Sequence, residues 1–257
     1  MNQSERREYL IRYLLAERAE YEGVEIPKNT VGQKTLLRAL FNVRTPQVVT
    51  DDFLQIQDAY LQEEIRQKGI TDYKNLSEIQ HDLYLWQGDI STLKCGAIVN
   101  AANSQMLGCF RPNHACIDNC IHTFSGIQLR HDCYEIMRKQ GHEEPTGTAK
   151  ITLAYNLPCD YVLHTVGPVV SDELTKMHED QLTACYLACL KLADQREIAS
   201  IAFCCISTGV FRFPNERAAE IAVQTVKEYK IRTGSDIKVI FNVFKDMDME
   251  IYRKILQ

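Results

Sequence analysis

Ala97-Ile-Val99 followed by Asn100-Ala-Ala-Asn103-Ser-Gln-Met-Leu-Gly108 is a short apolar run that stops at two asparagines and small residues. A run of that length without polar alternation reads as a strand buried on both faces. Comparable runs recur at Leu83–Trp86, Ala149–Leu153, Tyr161–His164, Ile201–Ile206 and Lys238–Phe244. Helical patterns lie between and after them, near 114–125, 127–140, 176–195, 215–231 and 247–257. Continuous apolar strands separated by helices predict an α/β fold with a largely parallel sheet covered on both faces. Residues 81–257 carry this texture.

Residues 1–80 have a different texture and read as a helical N-terminal extension. Leu10, Ile11, Leu14 and Leu15 share one face of a first helix, and Pro27 breaks that region. Gln33–Asn42 reads as a second helix. Thr50-Asp51-Asp52 caps a third, which runs to about Lys68 and ends at Gly69. No group of chemically active residues stands out here, so the extension is expected to be a lid or packing subdomain.

The chain has 257 residues, enough for one domain and a substantial extension. With 45% hydrophobic and 25% charged residues it has the composition of a soluble globular protein. The net charge of −5 leaves no basic surplus for a polymeric nucleic acid. A small anion is still a possible ligand, because backbone N–H groups can hold phosphate without net positive charge. The N-terminus lacks a signal-peptide core and no stretch is apolar enough to span a membrane, so the expected location is cytoplasmic. The ten cysteines are then expected to be reduced. Cys204 and Cys205, in an apolar run, and Cys185 and Cys189, one helical turn apart with no third ligand nearby, read as core.

Ligands of open α/β sheets sit beyond the carboxyl ends of strands. Gln87-Gly88-Asp89-Ile90 follows the first run and also fits an ordinary turn. The loop from Asn100 to Gly108 follows the second. Asn offers a donor and an acceptor in one plane, which suits a ribose diol. His164-Thr-Val-Gly167-Pro168 reads as a further turn on the same rim. Ile206-Ser207-Thr208-Gly209-Val210-Phe211 lies between a strand and a helix, where small residues make a phosphate cradle and Phe211 could cover a sugar or ring.

The segment Cys109-Phe-Arg-Pro-Asn-His114-Ala-Cys116-Ile-Asp118-Asn-Cys120-Ile-His122 is the most chemically loaded in the chain. Cys109, His114 and Cys116 supply the thiolate and imidazole ligands that zinc prefers, within eight residues. The helix starting here is expected to lower a thiol pKa and so help metal binding. Three protein ligands make an open, catalytic site and four make a closed, structural one. Cys120, one turn beyond Cys116, could complete the shell. Asp118 and His122 crowd the same place, which favours the open form. Asp118 could activate water, or serve only as an acid favoured at a helix start.

Gly88-Asp89-Ile90, Val99-Asn100-Ala-Ala-Asn103, His164-Thr-Val-Gly-Pro168 and Ser207-Thr-Gly-Val-Phe211, in this order and spacing, resemble the macrodomain family over residues 81–257. The resemblance implies a mixed, mostly parallel central sheet between helices, a three-layer sandwich with ADP-ribose across its top. It implies that Asp89 and Ile90 contact adenine. Ser207, Thr208, Gly209, Val210 and Phe211 would wrap the diphosphate and distal ribose, and Asn103 would hold that ribose. Asp118 and His122 match acidic and histidine positions of the hydrolytic, MacroD-type branch. The glycine run of that branch is replaced here by Gly108–Cys116, which is similar to the zinc-containing macrodomains of bacteria and some eukaryotic microbes. Those proteins also have a helical N-terminal extension, and their ligands map onto Cys109, His114 and Cys116, with one zinc ion.

The function implied is zinc-dependent hydrolytic removal of mono-ADP-ribose from a protein carboxylate, an Asp or Glu ester, with Asn103, Asp118 and His122 as catalytic residues. The partners implied are a sirtuin-class ADP-ribosyltransferase and a modified lipoyl-carrier protein related to the glycine cleavage system. Two other readings fit the same loops: a module that reads ADP-ribose without cleaving it, and a deacetylase of O-acetyl-ADP-ribose.

Overall fold

The computed structural model describes residues 1–257. Three helices come first: α1 (Gln3–Ala16), α2 (Thr30–Val43) and α3 (Asp51–Lys68). Each begins at a side-chain cap, with Asn2, Asn29 and Thr50 accepting from the first turn. Gly69, at φ +91°, ends α3. Leu10, Ile11, Leu14, Leu37, Leu40, Phe41, Phe53 and Leu61 form a core of their own. Burying each such side chain contributes roughly 1.5–3 kcal/mol. Ile127, from outside the extension, also belongs to that core.

The remaining elements are β1 (Thr71–Asp72), β2 (Glu78–Gln80), β3 (Leu83–Gln87), β4 (Leu93–Lys94), β5 (Ala97–Ala102), α4 (Ile117–Ser125), α5 (Ile127–Gln140), β6 (Ala149–Leu153), β7 (Tyr161–Val166), α6 (Lys176–Gln195), β8 (Ser200–Phe203), α7 (Asn215–Thr233), β9 (Lys238–Val243) and α8 (Asp246–Leu256). Seven strands form one sheet in the order β2-β3-β9-β8-β5-β7-β6. The five central strands are parallel, and β2 and β6 close the edges antiparallel. The sheet is thus mixed and mostly parallel, with helices packed around it. Strands β5, β7, β8 and β9 are buried almost without interruption, and β3 is buried at its start and opens toward its end. Parallel pairing aims all five central carboxyl ends at one rim.

The expected elements are present, with shifts that matter for the rim. The sheet starts at Glu78, and β1 pairs with β4. Strand β5 continues through Asn100 to Ala102, and β7 through His164 to Val166. Asn100 and His164 are therefore fully buried strand residues, not loop residues. Asn100 stays in the strand because Asp118 and His164 satisfy its amide nitrogen. Strand β8 stops at Phe203, ahead of Cys204 and Cys205. Helix α4 starts at Ile117, not near 114, because Cys116 is its cap: the Cys116 Sγ accepts from the Asn119 N–H at 3.5 Å. Cys185, Cys189 and Cys204 are buried in the core as expected.

Candidate active site

Strand β5 delivers Asn100 beneath the rim and Asn103 just beyond it. The Asn100 Nδ2 donates to Asp118 Oδ1 at 2.8 Å and lies 3.2 Å from His164 Nδ1. His164 Nε2 lies 2.9 Å from Thr152 Oγ1. A neutral imidazole that accepts at Nδ1 and donates at Nε2 satisfies both contacts. Burial holds the His164 pKa down at about 4, so it stays neutral.

Asp118 sits in the first turn of α4 and is buried. Burial pushes its pKa up to about 6, against the opposing pull of the Asn100 hydrogen bond and the Arg130 charge. His122, one turn on, has its Nε2 3.6 Å from Asp118 Oδ1. That is too long for a hydrogen bond. Neither ring nitrogen of His122 has a partner, and burial drives its pKa far below the ordinary range. The pair is a neutral imidazole beside a carboxyl group, not an ion pair. His122 lies beneath the loop: a Cβ on Gly108 would stand 2.7 Å from its ring.

Asn103 organises its own loop. Its Oδ1 accepts from the N–H groups of Gln105 and Met106, each at 3.1 Å. Its Nδ2 donates to Gly108 O at 3.2 Å. One amide hydrogen is left for a ligand. Through Gly108 this loop runs into Cys109.

The ligand atoms of Cys109, His114 and Cys116 all lie within 4.8 Å of one another. Cys109 Sγ and His114 Nδ1 are 3.5 Å apart. Two ligands on one tetrahedral zinc, with ordinary Zn–S and Zn–N lengths, stand about 3.5 Å apart. The donor set and its spacing therefore fit a zinc ion. Burial, and Cys109 close by, raise the Cys116 thiol rather than lowering it. The helix start does not offset burial at that position. Cys120 is outside the trio, with its Sγ accepting from Arg38 Nη2 at 3.4 Å.

Two other loops share the rim. Asp89 Oδ1 accepts from the Ser91 N–H at 3.0 Å and from Ser91 Oγ, and Oδ2 accepts from Lys68 Nζ at 3.0 Å. Burial acts against the charge of Asp89, but Ser91 and Lys68 outweigh it and the pKa is lowered. Ile90 is buried beside it. In the last loop Ser207 has φ +65° and is buried with its Oγ unpartnered. Phe213 N donates back to Ser207 O and closes the loop. Gly167 packs against it so closely that a Cβ there would stand 2.1 Å from Ser207 Oγ. Gly209 and Val210 are exposed, and Thr208 and Phe211 half-buried.

The helical extension was expected to contain no site residue, and two of its side chains reach the rim. Lys68 touches Asp89 and lies 3.3 Å from the Phe124 ring centroid. Arg38 touches the Cys-His-Cys loop. Neither belongs to a motif. Asn100 had a signal, as a polar residue abutting an apolar run. Arg130 had none: it donates to Leu107 O and to the carbonyls of Phe41, Asn42 and Arg44.

Parallel strand ends that gather an Asn-rich loop, an acid-capped turn and a Ser-Thr-Gly loop at one rim define an open α/β module. The family model described as Macro domain matches residues 99–222. A protein of Treponema medium named protein-ADP-ribose hydrolase is 58% identical over the whole of both chains. The solved Oceanobacillus iheyensis macrodomain with ADP is 33% identical, with a TM-score of 0.63 over 70% of this chain and 93% of that one. The Trypanosoma brucei macrodomain in complex with ADP-ribose is 26% identical, with a TM-score of 0.67 over 85% of this chain and 95% of that one. The chain belongs to the macrodomain family.

Proposed function

We propose that the chain is a protein-ADP-ribose hydrolase that frees mono-ADP-ribose from an aspartate or glutamate ester, with one zinc ion held by Cys109, His114 and Cys116. One observation carries this: the trio adjoins Gly108, which contacts both Asn103 and the His122 ring, next to Asp118. A module that only reads ADP-ribose needs neither a buried acid nor two thiols at that place. The full-length Treponema relative, by its name, supports the hydrolase.

Asp89 and Ile90 would take adenine, with Lys68 and Ser91 holding the Asp89 carboxylate in place. Ser207 to Phe211 would hold the diphosphate, with backbone N–H groups and the buried Ser207 hydroxyl as donors. The spare amide hydrogen of Asn103 would fix the distal ribose. Asn100 anchors one oxygen of Asp118, so the other would steer water or the ribose toward the anomeric carbon. His122 supports Gly108 from below and sets the height of the loop. When bound, zinc would supply Lewis acidity beside the scissile ester.

The test is release of ADP-ribose from an aspartate-modified protein by wild type and by Cys116→Ala, with metal content measured on both. The variant is expected to lose zinc and to fall by at least tenfold in turnover. Full turnover without zinc would sink the catalytic metal, and intact modified protein after long incubation with the wild type would leave only a reader. Two further arms sharpen the substrate. One uses O-acetyl-ADP-ribose. The other uses a lipoyl-carrier protein modified by a sirtuin-class transferase, the partner pair the sequence resemblance implies.

A further inference from the structure

The unexplained contact at the metal loop is Arg38. It lies on α2, far away in sequence, and its Nη2 donates to His114 O at 2.9 Å, to Asn119 Oδ1 at 3.0 Å and to Cys120 Sγ at 3.4 Å. One nitrogen thus touches the residue that carries the imidazole ligand and the one thiol able to close the shell.

Cys120 is otherwise well placed to be a ligand. Cys116 caps α4 with an extended backbone, its carbonyl accepting from the Cys120 N–H at 3.1 Å and its sulfur from the Asn119 N–H at 3.5 Å, so Cys120 sits one turn on at the same end of the helix. Two sulfurs on one zinc, each at about 2.3 Å, are within reach from there. Yet only Cys109, His114 and Cys116 converge.

We propose that Arg38 is the positioning residue that keeps the coordination shell open, by holding Cys120 as a hydrogen-bond acceptor and barring it from the metal. The inference rests on the zinc reading above. A guanidinium at that spot acts in two ways. It holds the Cys120 sulfur by a hydrogen bond outside the trio, and it ties that sulfur to the same nitrogen that fixes the His114 carbonyl. Its hydrogen bond to His114 O fixes the loop at the imidazole ligand. Without it, Cys120 turns inward and the three-ligand site becomes a four-ligand one, which is structural and has no position for water or substrate.

The experiment is cobalt substitution of full-length wild type, Arg38→Met, Cys120→Ser and the double variant, followed by absorption and by ADP-ribose release. The sulfur-to-cobalt band scales with the number of thiolates. In Arg38→Met it is expected to rise about 1.5-fold, the ratio of three thiolates to two. Release is expected to fall on the order of 10- to 100-fold, as for other residues that orient metal ligands. Cys120→Ser alone is expected to match wild type, and in the double variant both band and release return toward wild type. A structural role for Arg38 would not be rescued by removing a thiol. The same band in all four proteins, or no rescue, overturns the inference and leaves the zinc reading standing. No cobalt in the wild type overturns both. A wild-type measurement covers failure of a variant to fold: zinc should slow alkylation of Cys109 and Cys116 and leave the rate at Cys120 unchanged. Zinc protection of Cys120 in the wild type would show a closed shell.

Discussion

Asn100, His164, Thr152 and Asp118 form a buried polar chain across β5, β7, β6 and α4. Its members are costly to bury; the Asn100 nitrogen, His164, Thr152 and Asp118 partner one another, and the Asn100 Oδ1 is left without a partner. Two buried histidines, His164 and His122, make acid a selective stress. Their folded pKa values lie below the ordinary 6.5. Between pH 6.5 and about 4 the unfolded chain takes up protons that the folded one refuses, so stability falls as pH falls. Each such histidine costs about 1.4 kcal/mol per pH unit in that window. Asp118 has the opposite sign: its folded pKa of about 6 lies above the ordinary 3.8, so the folded state gains stability as pH falls between those values. Asp118→Asn removes that opposing effect, and its urea midpoint should drop more steeply with acid than that of the wild type. A flat profile from pH 6.5 to 4.5 would contradict the burial argument. A second prediction concerns Gly108. At φ +80°, with a Cβ landing 2.7 Å from the His122 ring, Gly108→Ala should cost roughly 2–4 kcal/mol in thermal or chemical unfolding. At this scale the residue types at the rim were legible and their depth was not. Asn100 looks like the first loop residue, because nothing in one chain says that a partner lies inside the fold.

The elements show the reverse. Helix periods, caps and apolar strand runs located nearly every element, since these signals are local. What the sequence does not carry is which helix faces which loop. Helix α2 docks on α4 through side-chain pairs and on the Cys-His-Cys loop through bonds to its backbone, and such contacts leave no motif. Asn42 is the clearest case. It is 1% exposed, its Nδ2 donates to Thr123 Oγ1 at 2.9 Å, and its Oδ1 accepts from Asn113 N at 2.9 Å. Asn113 has φ +54°, so this bond holds a left-handed turn of the Cys-His-Cys loop in place. Asn42→Ala leaves the Asn113 N–H without its partner and should cost about 1–3 kcal/mol. It should also weaken zinc retention against a chelator. Asn42→Asp keeps the acceptor for Asn113 and should hold zinc better than the alanine variant. Equal zinc loss in both would show that the Thr123 contact, not the turn, is what matters.

Over the whole molecule, the sheet and the extension have separate apolar cores joined by a polar seam. The Oceanobacillus structure aligns over 93% of its own length with 70% of this chain, so a macrodomain sheet can stand without a long extension. Here the seam extends to the rim loops. Arg130 spends three donations on the carbonyls of Phe41, Asn42 and Arg44, and Ile127 N donates to Gln57 Oε1 at 3.0 Å. Lys68 reaches Asp89, and Arg38 and Asn42 bond to the backbone of the Cys-His-Cys loop. The buried apolar residues of α1–α3 pack against one another in the extension's own core, and no helix is long and apolar enough to cross a membrane. Deleting residues 1–69 separates two possibilities. If the extension only packs, the remaining chain should melt cooperatively at lower temperature and keep its zinc. If it holds the metal loop, the chain should still melt cooperatively, because the sheet core is almost untouched, but zinc affinity should fall on the order of 10- to 100-fold. The polar seam favours the second outcome, since Arg130 loses three acceptors and His114 O and Asn113 N lose their partners in one step. Zinc titration of a folded truncation at full-length affinity would refute it and reduce the extension to a stabilising cover.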